Sequence, residues 1–147
     1  MYLARHYPQK IERIITLATK FHWDEKIAAK ECAMLDADRI EEKVPAFAAT
    51  LRERHQPNDW KTLLQKTAVM LTTMGQSNPL HITDYAEIEQ PALVMLGDRD
   101  KMVSLDETLE TFRQLPKGQL SILPDTAHPI ESVDPERLAF EIRSFLK

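Results

Sequence analysis

Apolar residues along this chain follow two rhythms. Ile11, Ile14, Ile15, Leu17 and Ala18 form a mostly apolar, β-branched run, as in a strand of a sheet covered on both faces. Ala92 to Leu96 is continuously apolar, and Gln119 to Leu123 follows the turn Pro116-Lys117-Gly118; both predict strands. Elsewhere the spacing is helical. Tyr2, Leu3 and Tyr7 read as the tail of a helix that Pro8 stops. Asp24 to Leu35 predicts a helix. A second begins at Asp38, with Glu41 completing a capping box and Ile40, Val44, Phe47 and Leu51 as its buried stripe; Pro45 inside that stripe would kink or split it. A third starts near Asn58 or Asp59, presents Trp60, Leu63, Leu64, Ala68 and Leu71 on one face, and ends near Gly75.

After Tyr85 strands alternate with helices. Ser104 caps a helix from Leu105 to Leu115, with Glu107 completing another capping box, and Asp134-Pro135 open the last helix, whose buried stripe is Leu138, Ile142, Phe145 and Leu146. This order predicts an α/β fold of about three parallel strands with flanking helices. The helical stretch 22–82 is too long for a simple crossover and reads as an insertion over the carboxyl ends of the strands, the edge where open α/β sheets bind ligands. Residues 1–21 and 83–147 then form the core.

Composition narrows the field only slightly. The net charge of −4 gives no reason to expect nucleic acid or an anionic membrane as partner, and the apolar runs are far too short to cross a bilayer. Cys32 is the single cysteine, so no intrachain disulfide forms and a reducing cytoplasm is the expected compartment; Cys32 itself reads as a small buried hydrophobe. Met34, Met70, Met74 and Met95 read as core filler, and Phe21, Trp23 and Trp60 as packing residues.

The candidate chemistry lies at the ends of the second and third strands. Gly97-Asp98-Arg99-Asp100 follows one, and Leu123-Pro-Asp-Thr-Ala-His128-Pro129 follows the other. A histidine suits proton transfer near neutral pH, and a carboxylate on its other nitrogen fixes the tautomer and stabilises the imidazolium. Loops after adjacent parallel strands can bring two such groups within reach. No phosphate-binding glycine loop, dinucleotide fingerprint, His-Glu-x-x-His or Cys-x-x-Cys occurs, so neither cofactor nor metal is expected.

In these segments the chain resembles the C-terminal half of an α/β-hydrolase. Gly97-Asp98-Arg99-Asp100 matches the family's Gly-x-x-Asp, whose last residue is the triad acid, and His128 matches the triad histidine. Asp100 is therefore the first choice of acid and Asp98 the alternative. Residues 2–8 and 11–15 resemble the end of the helix after the nucleophile and the sixth strand, and residues 21–80 resemble the cap. The resemblance implies hydrolysis of an ester, lactone or similar bond in a small molecule. The chain departs from the family at the nucleophile. Its glycines are Gly75, Gly97 and Gly118, no two of which are four apart, so no Gly-x-Ser-x-Gly elbow exists among these residues. An aspartate nucleophile would shift the reading toward a dehalogenase or epoxide hydrolase.

Two functions follow as expectations. One is the acid–base portion of a hydrolase, inactive by itself. The other is a non-catalytic module derived from that fold. The family resemblance leaves the first strand without a neighbour, and an open edge with nearby apolar surface predicts a homo-oligomer through the first strand or the N-terminal helix.

Overall fold

The computed structural model describes residues 1–147, which divide into two compact units, 1–22 with 80–147 and 23–79. In the first unit three strands, β1 (Ile14–Leu17), β2 (Ala92–Gly97) and β3 (Gly118–Leu123), make one parallel sheet in the order β1-β2-β3. β2 is buried along its whole length, which explains its unbroken apolar sequence. Its side chains alternate between the two faces. Ala92 and Val94 join Ile14, Phe21, Leu80, Tyr85, Ile88 and Leu115 on one side. Leu93 and Met95 meet Phe145 of the last helix on the other, with Ile15, Leu17, Leu138 and Ile142 alongside. Burial pushes the Tyr85 phenol up to about 12, so it stays neutral within its cluster.

β1 is shorter than its apolar run. The ladder starts at Ile14 opposite Ala92, since β2 is preceded by Pro91, which has no N–H to donate; Ile14 instead donates to the Pro91 carbonyl. Residues Pro8–Lys10 are wound into a 3-10 turn, and the first helix, α1, is confined to Tyr2–His6. At the other end Ala18 takes a positive φ of 51°, which ends the strand after a last bond from its amide to Met95.

The second unit holds four helices, α2 (Glu25–Cys32), α3 (Ala37–Lys43), α4 (Pro45–His55) and α5 (Trp60–Gln76). Pro45 splits the expected helix rather than kinking it, because it occupies the first position of α4, where its missing N–H has no partner to lose. The cap of α3 is Asp36, whose carboxylate accepts the Arg39 amide, not Asp38. The stripe holds in part: Ile40 and Leu51 pack with Trp60, as does Ala48, while Val44 and Phe47 are exposed. Met34 and Met70 are also exposed, leaving Met95 as the one fully buried methionine of the four named, and Cys32 is half-buried against the Ala68 carbonyl. Asp24 and Asp59 cap α2 and α5 as their side-chain chemistry suggests.

In the first unit, α6 (Leu105–Gln114) and α7 (Pro135–Leu146) start at Ser104 and Asp134, each of which caps with its side chain. Leu146, expected in the buried stripe of α7, is exposed at the last turn.

α5 ends at Gln76, as expected near Gly75, and Gly75, its penultimate residue, lies where α5 packs against α2. A Cβ there would stand 2.5 Å from the Ala28 Cβ and 2.9 Å from the Asp24 carbonyl oxygen. Ala has the better helix propensity, by about 1 kcal/mol. The contact is with atoms that cannot swing aside, so overpacking outweighs it, and Gly75→Ala should destabilise the protein by about 1–2 kcal/mol in urea unfolding. Adding Ala28→Gly should recover part of that loss; strictly additive effects of the two substitutions would refute the close crossing.

Candidate active site

The carboxyl ends of β2 and β3 carry the two loops that matter. β2 ends at Gly97, and the chain turns at once, with the Asp100 amide bonded to the Gly97 carbonyl. The turn directs the Asp100 side chain inward, where it is fully buried. One carboxylate oxygen, Oδ1, accepts the amide hydrogens of Met102 and Val103, both at 2.8 Å. The other, Oδ2, lies 2.9 Å from Nδ1 of His128, on the loop after β3. Of the two acids considered, it is thus Asp100 that meets the histidine. The Asp98 carboxylate instead accepts the Thr126 amide at 3.3 Å.

Burial alone would push the Asp100 carboxyl up. The Val103 and Met102 amides, together with His128, outweigh burial and hold it below the usual carboxylate value. The ionised form is therefore the one this pocket is shaped for. An ionised Asp100 can only accept hydrogen bonds, so the neutral imidazole carries its proton on Nδ1. Nε2 is left as the atom that can take a proton. The imidazole is 30% exposed, which leaves it accessible from outside the protein.

The next turn of the chain also supports the site. Ser104 Oγ accepts the Glu107 amide at 3.1 Å, half of the expected capping box. The Glu107 carboxylate does not complete it. It reaches across to the loop after β1, accepting the Phe21 amide at 2.6 Å and the His22 amide at 2.8 Å, with the Lys20 ammonium 3.6 Å away. The first turn of α6 thereby holds two loops, the acid loop through the cap and the β1 loop through Glu107. The sequence signals the acid at this position but not its partner 86 residues away. Ser104 is occupied as a cap, and Cys32 donates its thiol hydrogen to the Ala68 carbonyl in the other unit.

No family model matches the chain. Among curated proteins it is 27% identical over 107 residues to the 2-(acetamidomethylene)succinate hydrolase of Mesorhizobium japonicum, covering 70% of this chain and 38% of that protein. Among solved structures it superposes on a thermophilic esterase from Thermogutta terrifontis with a TM-score of 0.61 at 22% identity, covering 99% of this chain and 60% of that one. The enol-lactonase of Burkholderia xenovorans gives a TM-score of 0.62 at 20% identity, covering 98% and 59%. This chain therefore spans well under two thirds of the length of each relative. With its three parallel strands and flanking helices, it has the C-terminal part of the α/β-hydrolase fold. No helix is long and apolar enough to cross a membrane.

The depressed Asp100 carboxyl gives a pH prediction. A group held below its unfolded value, about 3.9 for aspartate, stabilises the fold above that value and ceases to do so as pH falls through the folded one. Asp100→Asn should lower stability by about 1–3 kcal/mol at neutral pH, the scale of charge-assisted bonds. The urea midpoints of the two proteins should then converge as the solution is acidified below the ordinary carboxylate range. A gap that stays constant down to acid unfolding would mean that the pairing does not favour the ionised acid.

Proposed function

We propose that residues 1–147 supply the acid and base of a hydrolytic triad acting on an ester, lactone or similar bond. The observation that carries this reading is the 2.9 Å contact between a buried Asp100 carboxylate, which accepts two backbone amides, and the Nδ1 of a partly exposed His128. In the proposed reaction His128 Nε2 takes the proton from a nucleophile as that nucleophile attacks the carbonyl carbon. Asp100 stabilises the resulting imidazolium, which then gives the proton to the leaving group. In this reading residues 22–82 correspond to the cap of such a hydrolase. The names of similar proteins, an esterase and an enol-lactonase, support the bond class. The glycine spacing allows no elbow within 1–147, so the nucleophile and the oxyanion donors come from residues outside this segment.

Two measurements test this. Residues 1–147 alone should release p-nitrophenol from p-nitrophenyl esters no faster than buffer. Placed in the Thermogutta terrifontis esterase in exchange for its matching C-terminal segment, they should support ester hydrolysis that His128→Ala lowers by roughly a thousandfold or more, the scale of triad members. A folded chimera whose turnover ignores His128→Ala would sink the reading.

One observation favours a second role, self-association. β1 pairs with β2 on one side only, and its other edge is open. Beside it an open groove of about 400 Å³ is lined by apolar residues such as Leu3, Ile11, Ile14 and Ile15 together with the charged Arg13, and Tyr2, Leu3 and Tyr7 are exposed. Open strand edges beside apolar surface are templates for pairing. In this reading the chain is a homo-oligomer through β1 and α1. Light scattering at micromolar concentration should give at least twice the mass of one chain, and Leu3→Glu should return it to a monomer. A monomeric wild type excludes it.

A further inference from the structure

The two loops of the candidate site are fastened to each other before they reach Asp100 and His128. The ladder of β2 and β3 ends with Gly97 opposite Leu123. Beyond it the Asp98 amide donates to the Leu123 carbonyl and the Arg99 amide to the Thr126 carbonyl, both at 3.0 Å. The Asp98 carboxylate closes a third link by accepting the Thr126 amide. Thr126 is buried, and its hydroxyl donates to the Pro124 carbonyl at 3.0 Å, tightening the turn in which Asp125 adopts a positive φ of 51°. The approach is so close that a Cβ on Gly97 would run into the Thr126 carbonyl group, its carbon only 2.7 Å away. Asp98 is two residues from Asp100, and Thr126 two from His128, so this clasp sets the gap that the dyad must span.

We infer that Asp98 is a positioning residue, whose carboxylate sets the histidine loop at the distance at which His128 meets Asp100. This inference rests on the acid–base reading above. The Asp98 carboxylate makes no hydrogen bond to the imidazole or to Asp100, and its other charged neighbour, Arg99, is 3.9 Å away, exposed, and shared with Asp125 at the same distance. Exposed pairs of that kind contribute little. The directional link to Thr126 is what distinguishes Asp98 from a surface charge.

The test is the tautomer of His128 in the whole chain, read from one-bond and long-range ¹H–¹⁵N correlations at a pH where the imidazole is neutral. Wild type should carry the ring proton on Nδ1. Asp98→Ala should lower the ratio of Nδ1–H to Nε2–H forms about tenfold, the equivalent of one charge-assisted bond, and should speed exchange of the Thr126 amide. Asp98→Asn, which keeps the Oδ1 acceptor, should restore both. Asp98→Ser draws the oxygen back and should behave as Asp98→Ala, so a poorly folding alanine variant does not decide the matter. If wild type holds its proton on Nε2, the acid–base reading fails. If wild type is Nδ1–H and remains so in Asp98→Ala and Asp98→Ser, the dyad stands and the positioning role is refuted.

Discussion

A fully buried carboxylate is tolerable only when every oxygen has a partner, and that requirement organises the site. Asp100 sits in a turn in which the Met102 and Val103 amides point back at one oxygen, leaving the other for His128. Removing a carboxylate from water costs several kcal/mol, more than a single imidazole contact returns. The amides make burial possible, and burial keeps the carboxylate in one orientation. The histidine then meets a fixed acceptor instead of a mobile surface charge. The turn in turn depends on Ser104, which caps α6 directly after Val103.

Much of this was legible in the chain because it rests on local chemistry. An unbroken apolar run predicts a buried central strand, and β2 is that strand within one residue. Ser104 and Asp134 could be read as caps because a short oxygen-bearing side chain before a helical stripe has one local use. Pairing Asp100 with His128 needed the resemblance as well as the residues, since neither loop alone is distinctive. What escaped was non-local. Glu107 has the spacing of a capping box, yet its carboxylate reaches the Phe21 and His22 amides, and nothing in the residues near position 107 encodes that meeting. Asp98 was legible as an acid but not as a partner of Thr126. The stripe held at Ile40 and Leu51, which pack with Trp60, but not at Val44 and Phe47: Val44 is the junction residue between two helices, and Phe47 lies in the first turn of the helix that Pro45 restarts.

The short β1 also has a non-local cause. Apolar and β-branched residues describe a preference for sheet, but a strand exists only where its neighbour offers bonds. Pro91 removes the donor that would have extended the pairing toward Ile11, and the backbone at Ala18 turns away after Leu17. Four residues of β1 therefore face the open edge, a length that limits how much unpaired backbone the sheet presents. Ile11 still contributes, packed against the apolar cluster on one face without belonging to the ladder.

Strand pairing, loop clasp and dyad form a sequence of decreasing tolerance. β2 and β3 are held by six matched residue pairs, so their relative height survives the loss of any one side chain. The clasp has three links and one position, Gly97, that admits no side chain. The dyad has a single contact, and when it lengthens the imidazole loses the partner that fixes its tautomer and orientation. Each level narrows the error left by the one before: hydrogen bonds along the strands set the register, the clasp converts register into loop separation, and the amides of Met102 and Val103 convert loop separation into the direction of one carboxylate oxygen. Every residue in that chain of constraint lies between Ala92 and His128. A segment of this size can therefore hold a carboxylate and an imidazole in hydrogen-bonding contact by itself, because the forces that align the pair are internal to two neighbouring strands and their loops.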